Sequence, residues 1–302
     1  MSVGSANPPD QPSLPQRILT HWVVRLLLTG LAFVLLMIVL GLILTQLPIV
    51  LSPLAFQELI GTLAALGAIG LVTVLVERRP LRAVGLGWRG MPGQWLRGAA
   101  VGAGLMSACV LLLALAGGYR VGGLRLALGP LLSSLLLQVG VGLFEEGLFR
   151  GMIFRLLEEG LGSWVALVLS STLFGAIHLL NPQATPLGAA AIAVEAGVLL
   201  AAAYMLTRSL WFVAGLHTAW NFFQGSIFGS NISGSGIQTT SLLVARFEGP
   251  ELLTGGVFGI EASLIAILLG LALGLWFAVR AARSGRTMRA LLWRGGINRV
   301  KG

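Results

Sequence analysis

Residues 26–46, which read LLLTGLAFVLLMIVLGLILTQ, form an apolar stretch without a charged residue. A helix needs about 20 apolar residues to cross the hydrocarbon core of a bilayer. Seven further stretches have comparable length and character. The eight predicted spans are 26–46, 55–76, 97–117, 130–157, 162–180, 185–207, 209–228 and 257–279. The sequence therefore predicts an all-α membrane protein with about eight transmembrane helices.

The overall composition also indicates that lipid is the main solvent. Of the 302 residues, 56% are hydrophobic and only 10% are charged, whereas soluble domains carry about 25% charged residues. So few polar groups could not cover a water-facing surface. The single cysteine, Cys109, excludes a disulfide within the chain.

The basic residues predict the orientation of the chain. Its net charge is +9, but the arginines cluster beside apolar stretches, which is typical of membrane topology and not of nucleic-acid binding. With the N-terminus inside, 16 basic residues fall in cytoplasmic segments, and three, Arg120, Arg125 and Arg246, fall in external ones. This bias predicts that both termini are cytoplasmic.

The chain divides into three regions. Residues 1–25 are polar and proline-rich, and we expect a disordered cytoplasmic tail there. Residues 26–279 form the membrane domain. Residues 280–302 are basic with interleaved apolar side chains, and we expect this cytoplasmic tail to contact anionic lipid headgroups. A plain stop-transfer tail would have the same composition.

Ionisable groups inside a membrane are costly and need a reason. The fourth predicted span carries Glu145 and Glu146, followed by Arg150. Glu146 and Arg150 are four residues apart, so they share a helix face and are expected to form an ion pair. Glu145 is rotated by about 100° and has no cation of its own. A desolvated carboxylate of this kind is suited to general acid–base chemistry.

The fifth and seventh spans carry the remaining polar motifs. Phe174 and His178 are four residues apart, and so are His217 and Asn221. Helical rise places both histidines and Glu145 near the middle of the bilayer, so we expect them to meet in one cavity. Glu195, in the sixth span, has no partner at helical spacing and is interpreted as a residue of a cavity or a helix contact.

Several protease classes are excluded by the sequence. The only aspartate, Asp10, lies in the predicted tail, so a two-aspartate intramembrane protease is impossible. Neither a His-Glu-x-x-His motif nor a Gly-x-Ser-x-Gly motif is present.

Water activated by Glu145 remains, in two versions. In one, His178, His217 and Asn221 polarise a peptide carbonyl while Glu145 acts as the base. In the other, both histidines and a carboxylate hold Zn²⁺, whose bound water attacks. The residues alone do not choose between them.

The three motifs resemble those of a known family. Glu-Glu-x-x-x-Arg at 145–150, Phe-x-x-x-His at 174–178 and His-x-x-x-Asn at 217–221 are similar to the motifs of the CAAX-protease and bacteriocin-processing family (CPBP, or Abi). Their order and their place on the fourth, fifth and seventh spans also match. The resemblance covers roughly residues 75–228, with all three motifs inside 130–228.

The resemblance implies an eight-helix fold and endopeptidase activity toward prenylated proteins or peptides, in a family usually described as metalloproteases. It implies that Glu145 activates water, with His178, His217 and Asn221 around it, and that Glu146 and Arg150 support the site. His178 and His217 are then candidate ligands of Zn²⁺.

Our leading hypothesis is an endopeptidase that acts on a lipidated or membrane-embedded peptide. The similarity to bacterial members leads us to expect a location in the bacterial plasma membrane. One alternative is a non-catalytic scaffold or bacteriocin-immunity protein that uses the pocket for binding. The other is a proton-coupled transporter with Glu145 and the histidines as a relay. It is disfavoured because no internal repeat is visible.

Overall fold

The computed structural model describes residues 18–19, 21–48, 51–237 and 240–290. Eight long helices account for most of this part of the chain: α1 (Trp22–Leu44), α2 (Pro53–Val76), α3 (Met91–Leu115), α4 (Leu128–Leu161), α5 (Ser163–Leu180), α6 (Pro186–Thr207), α7 (210–227) and α8 (Leu264–Arg283). All of these except α7 are long and apolar enough to cross a membrane. The protein is thus an all-α, multi-pass membrane protein, as its apolar stretches predict.

The two predicted tails are only partly covered by the structure. Residues 1–17 and 20 of the predicted N-terminal tail and residues 291–302 of the predicted C-terminal tail lie outside the described residues. Helix α1 begins at Trp22, and α8 continues to Arg283. The part of each predicted tail that adjoins the membrane domain is therefore helical.

Polar residues before the helices define where several of them begin. The hydroxyl of Ser52 accepts a hydrogen bond from the Ala55 amide at 3.2 Å, and Thr185 caps α6 through the Gly188 amide at 2.9 Å. A proline follows each capping residue. Proline suits the first helical position because its missing N–H would have no partner there.

Close glycine contacts fix the position of α7. A Cβ atom at Gly98 or Gly102 of α3 would fall on main-chain atoms of α7, and a Cβ atom at Gly215 of α7 would fall on the main chain of Trp95. Small residues allow membrane helices to approach backbone to backbone. Helix α7, which carries His217 and Asn221, is therefore held closely against α3.

A small antiparallel sheet closes one end of the helix bundle. Strand β1 (Tyr119–Leu124) pairs with β2 (Leu243–Phe247), from Tyr119 opposite Phe247 to Leu124 opposite Leu243. β2 lies between the seventh and eighth predicted spans. We call this the sheet end, and we call the opposite end, where α1 starts and α8 finishes, the basic end.

Charged side chains lock the basic end together. Glu77, just after α2, lies 2.8 Å from Arg155 of α4 and 3.2 Å from Arg25 of α1. Burial alone raises the pKa of Glu77, but the guanidinium groups of Arg155, Arg25 and Arg79 outweigh it and hold the pKa below its ordinary value. Three helices are thereby joined at this end through one buried carboxylate.

Candidate active site

The glutamate motif lies where α4 changes its winding. The α-helical part, Leu128–Glu146, is followed by a π-helical stretch, Gly147–Phe154. Such stretches are rare and are frequently found at functional sites. Arg150 donates to Glu146 at 3.0 Å, and both side chains are only 1% exposed. The ion pair expected from their spacing is therefore present and buried.

Glu146 has a second partner on another helix. The same oxygen, Oε1, lies 2.8 Å from Nδ1 of His217 on α7. Since this carboxylate also accepts from Arg150, we assign the proton of the neutral imidazole to Nδ1. Nε2 of His217 then carries a lone pair and can accept a hydrogen bond or bind a cation.

Arg150 connects the pair to two further helices. Its Nη2 atom donates to the carbonyl oxygen of Gly197 at 3.2 Å. Gly197 is the last residue of another π-helical segment, Ala193–Gly197. Its guanidinium carbon lies 4.4 Å from the centroid of the Phe174 ring, which is a favourable distance for a cation–π contact. Arg150 thus binds α4 to α5 and α6 at the depth of the site.

His178 has a similar anchor. It follows the α-helical part of α5, Ser163–Ile177, and its Nδ1 atom lies 2.6 Å from the carbonyl oxygen of Phe174. A carbonyl oxygen can only accept, so Nδ1 carries the proton. The His178 ring also packs edge-on against the Phe174 ring, with centroids 4.9 Å apart. Nε2 of His178 is thereby left as an acceptor, as it is in His217.

Glu145 occupies the adjacent face of α4. Its Oε2 atom lies 4.0 Å from Nε2 of His217 and has no hydrogen-bond partner among the described residues. Glu145 lines a cavity of about 380 Å³ together with His178, His217 and Asn221. The structure brings the four residues together in one cavity, with Glu146 and Arg150 packed behind them.

The comparisons with known proteins concern the same part of the chain. Residues 127–223 match a family model described as type II CAAX prenyl endopeptidase Rce1-like. Over this segment the chain is similar to the CAAX-protease family. The matched segment contains all three motifs, including the glutamates, Arg150, both histidines and Asn221. No curated protein and no solved structure matches the chain.

Two residues of the cavity were not predicted from the sequence. Glu58 of α2 and Gln138 of α4 line the same cavity as Glu145. Oε2 of Glu58 and Oε1 of Gln138 have no hydrogen-bond partner among the described residues. Glu58 lies in a predicted span, so its charge at membrane depth was a signal that could have identified it.

A second polar pocket lies behind the histidines. Glu195 and Glu261 line a cavity of only about 10 Å³, next to His178 and His217. Glu261 accepts hydrogen bonds from Trp220 and Ser233. Neither oxygen of the fully buried Glu195 has a partner in the described part of the chain. Glu195 is thus a residue of a cavity, as interpreted from sequence, whereas Glu261 was overlooked in the eighth predicted span.

The residues were also tested for a fit to Zn²⁺. Metal-binding histidines commonly donate their other ring nitrogen to a carboxylate or carbonyl oxygen, and the Nδ1 contacts of His178 and His217 follow that pattern. However, residues 18–19, 21–48, 51–237 and 240–290 contain no group of three or more His, Cys, Asp or Glu residues arranged to hold a metal ion. In this part of the chain the donor set is therefore incomplete for zinc. The catalytic steps that these residues can perform are those of their own side chains.

Proposed function

We propose that this protein is an intramembrane endopeptidase in which Glu145 activates the water that attacks the peptide bond. The observation that supports this most strongly is the pair formed by Glu145 Oε2 and His217 Nε2, which lie 4.0 Å apart at the cavity wall. Both atoms are acceptors, and neither can donate to the other in this state. One water molecule that donates a hydrogen bond to each would bridge them at ordinary distances.

The water is thereby oriented for attack. Its oxygen adds to the carbonyl carbon of the peptide while one of its protons passes to Glu145. The carbonyl oxygen becomes an oxyanion, which needs a hydrogen-bond donor. Asn221, 4% exposed and lining the same cavity, offers an amide N–H for this purpose. The proton on Glu145 then passes to the amine nitrogen as the carbon–nitrogen bond breaks, which regenerates the carboxylate.

Glu146 and Arg150 act through His217. The carboxylate of Glu146 holds Nδ1–H of His217 at 2.8 Å, which directs Nε2 toward Glu145. Arg150 donates a hydrogen bond to Glu146 at 3.0 Å and holds its carboxylate in place. These two are positioning residues, whereas Glu145, His217 and Asn221 would contact water or substrate.

The family match supports a proposal for the substrate class. Members of this type are CAAX prenyl endopeptidases, and we propose that the substrate is a lipidated or membrane-embedded peptide, cleaved near its C-terminus. We also propose that the protein resides in a bacterial plasma membrane. If Zn²⁺ were bound, His178 and His217 would help to hold it, and it would supply a Lewis acid that activates water.

The test is cleavage of fluorogenic peptides, farnesylated and unmodified, by the purified protein in lipid nanodiscs. Glu145→Gln should reduce kcat/KM by roughly 10²–10⁴-fold, the usual contribution of a general base. Glu248→Gln is the matched control, because its exposed pair with Arg120 lies at the surface of the sheet end and contributes little. Full activity of Glu145→Gln would refute the mechanism.

A chelator arm separates the two ways of activating water. Cleavage that continues in metal-free protein would support Glu145 as the only activator. Cleavage that is lost on chelation and restored by Zn²⁺, together with stoichiometric zinc in elemental analysis, would assign His178 and His217 as ligands. If neither form cleaves any peptide, the cavity is better explained as the binding site of a scaffold or immunity protein.

A further inference from the structure

In the described part of the chain, the residues that line the cavity of Glu145 extend to the sheet end and not to the basic end. Its outer wall is formed by Leu54 and Gln57 in the first turns of α2, by Leu180 and Asn181 at the end of α5, and by residues 232–237 after α7. All three segments belong to the sheet end. Leu180 is 83% exposed and Ile237 is 44% exposed, so this is where the cavity meets the surroundings of the protein.

The opposite end carries most of the positive charge. Among the described residues, twelve arginines lie in or next to the basic end: Arg25, Arg78, Arg79, Arg82, Arg89, Arg97, Arg155, Arg208, Arg280, Arg283, Arg286 and Arg289. Three glutamates accompany them, namely Glu77, Glu158 and Glu159.

The sheet end has the reverse balance. It carries three arginines, Arg120, Arg125 and Arg246, and four glutamates, Glu58, Glu248, Glu251 and Glu261. The net charge is therefore strongly positive at the basic end and slightly negative at the sheet end.

Short basic segments stay on the cytoplasmic side of a membrane. The segments at the basic end are short: 77–90 joins α2 to α3, a single residue joins α4 to α5, and two residues join α6 to α7. Anionic lipids of the cytoplasmic leaflet also attract arginines that lie near the surface. This charge distribution predicts that the basic end is cytoplasmic.

From these two observations we infer that the cavity opens on the non-cytoplasmic side of the membrane. If the proposed peptidase function holds, the substrate is a peptide segment that arrives from that side. It would be an exported peptide or the external part of a membrane-anchored one, and not a C-terminus that remains in the cytoplasm. The cavity lining has two glutamates and no arginine or lysine among the described residues, so a neutral or basic segment fits it best.

Cysteine labelling tests the orientation without any need for activity. Cys109 is fully buried, and Cys109→Ala provides a background free of cysteine. Ile237→Cys places a thiol at the cavity mouth, and Ser284→Cys places one on an exposed site at the basic end. In intact cells a membrane-impermeant maleimide should label the first variant, and should label the second only after permeabilisation. The reverse pattern would overturn the inference.

Two additional measurements keep the test decisive. If Cys109→Ala impairs folding, the same two cysteines are introduced with Cys109 retained, since its buried thiol is shielded from the reagent. In the activity arm, a fluorogenic peptide is added to sealed vesicles of both orientations, and cleavage is expected only in right-side-out vesicles. Cleavage only in inside-out vesicles overturns the orientation. The expected labelling without cleavage in either vesicle type contradicts the peptidase function and leaves the orientation standing.

Discussion

Glu146→Gln is the substitution whose effect the structure defines best. The Glu146 side chain is fully buried, and its Oε1 atom accepts from Arg150 at 3.0 Å and from His217 at 2.8 Å. Glutamine has nearly the same shape but no charge. Its carbonyl oxygen can still accept a hydrogen bond, whereas the positive charge of Arg150, 1% exposed, would lose its counter-ion.

The magnitude follows from this loss. Removing one partner of a buried ion pair costs about 3–5 kcal/mol because the other charge is left unbalanced, and the hydrogen bond that glutamine retains returns about 1 kcal/mol. The expected destabilisation is thus roughly 2–4 kcal/mol. For a chain of this size it would lower Tm by on the order of 5–10 °C. Cleavage should also fall, since a neutral acceptor holds the Nδ1–H of His217 less strongly than a carboxylate does.

Thermal unfolding in detergent, followed by tryptophan fluorescence, measures the effect. Glu145→Gln is the neighbouring control and should melt within about 2 °C of wild type, because Glu145 pairs with no arginine among the described residues. The double variant Glu146→Gln/Arg150→Met removes both charges and should recover at least half of the lost stability. If Glu146→Gln melts like wild type, or if the double variant is no more stable than the single one, the buried ion pair does not stabilise the protein as argued.

Three more predictions concern other parts of the molecule. The lowered pKa of Glu77 means that its ion pairs stabilise the protein above a pH of about 4.5 and lose that effect as the pH falls through the folded-state pKa. The Tm of wild type should therefore drop more between pH 7 and pH 4 than the Tm of Glu77→Gln. Equal drops would contradict this. Gly98→Ala should destabilise by about 1–3 kcal/mol through a clash with the main chain of α7, while Gly104→Ala on the same helix, with open space around it, should melt like wild type. Glu58→Gln should lower kcat/KM roughly tenfold more for a peptide with lysine beside the cleaved bond than for the same peptide with norleucine. The reason is that Oε2 of Glu58 has no hydrogen-bond partner among the described residues and is free to bind the lysine. Equal losses for the two peptides would show that Glu58 does not recognise charge.

The apolar stretches predicted the helices well, since burial of each helix in lipid depends on local composition. The ends of the helices differ from the edges of the predicted spans. Helix α3 begins at Met91, six residues before the predicted span at 97, and α1 begins at Trp22 instead of 26. Hydrophobicity marks the hydrocarbon core, whereas a helix continues through the headgroup region until a cap or a proline ends it. Arg25 therefore lies inside a helix although it lies outside the predicted span, and Arg97, the first residue of its predicted span, lies in the second turn of α3.

The local part of the site was also predictable. Arg150 lies one helical turn after Glu146, so their ion pair depends only on the helical repeat. The contact between Glu146 and His217 spans 71 residues of sequence, and no spacing rule reports it. It also gives Glu146 a positioning role that its pairing with Arg150 alone did not suggest.

Glu58 and Glu261 illustrate a different cause of omission. Each lies in a predicted span, where the cost of burying a charge already marks it for attention. Neither has a polar partner at helical spacing, so a search for spaced motifs does not find them. The sheet could not be predicted either, because β1 and β2 are more than 100 residues apart and their pairing depends on how α3 and α7 pack.

The anchoring of both histidines has a consequence for the chemistry of the site. Phe174 holds Nδ1–H of His178 and Glu146 holds Nδ1–H of His217, so each neutral ring presents only a lone pair at Nε2. Such rings can orient a water or bind a cation, but they cannot donate a hydrogen bond to an oxyanion unless they are protonated. The role of oxyanion donor expected of all three polar residues therefore falls to Asn221, whose amide donates without a change of charge. This division separates water activation, at Glu145 and His217, from carbonyl polarisation, at Asn221, within a single cavity.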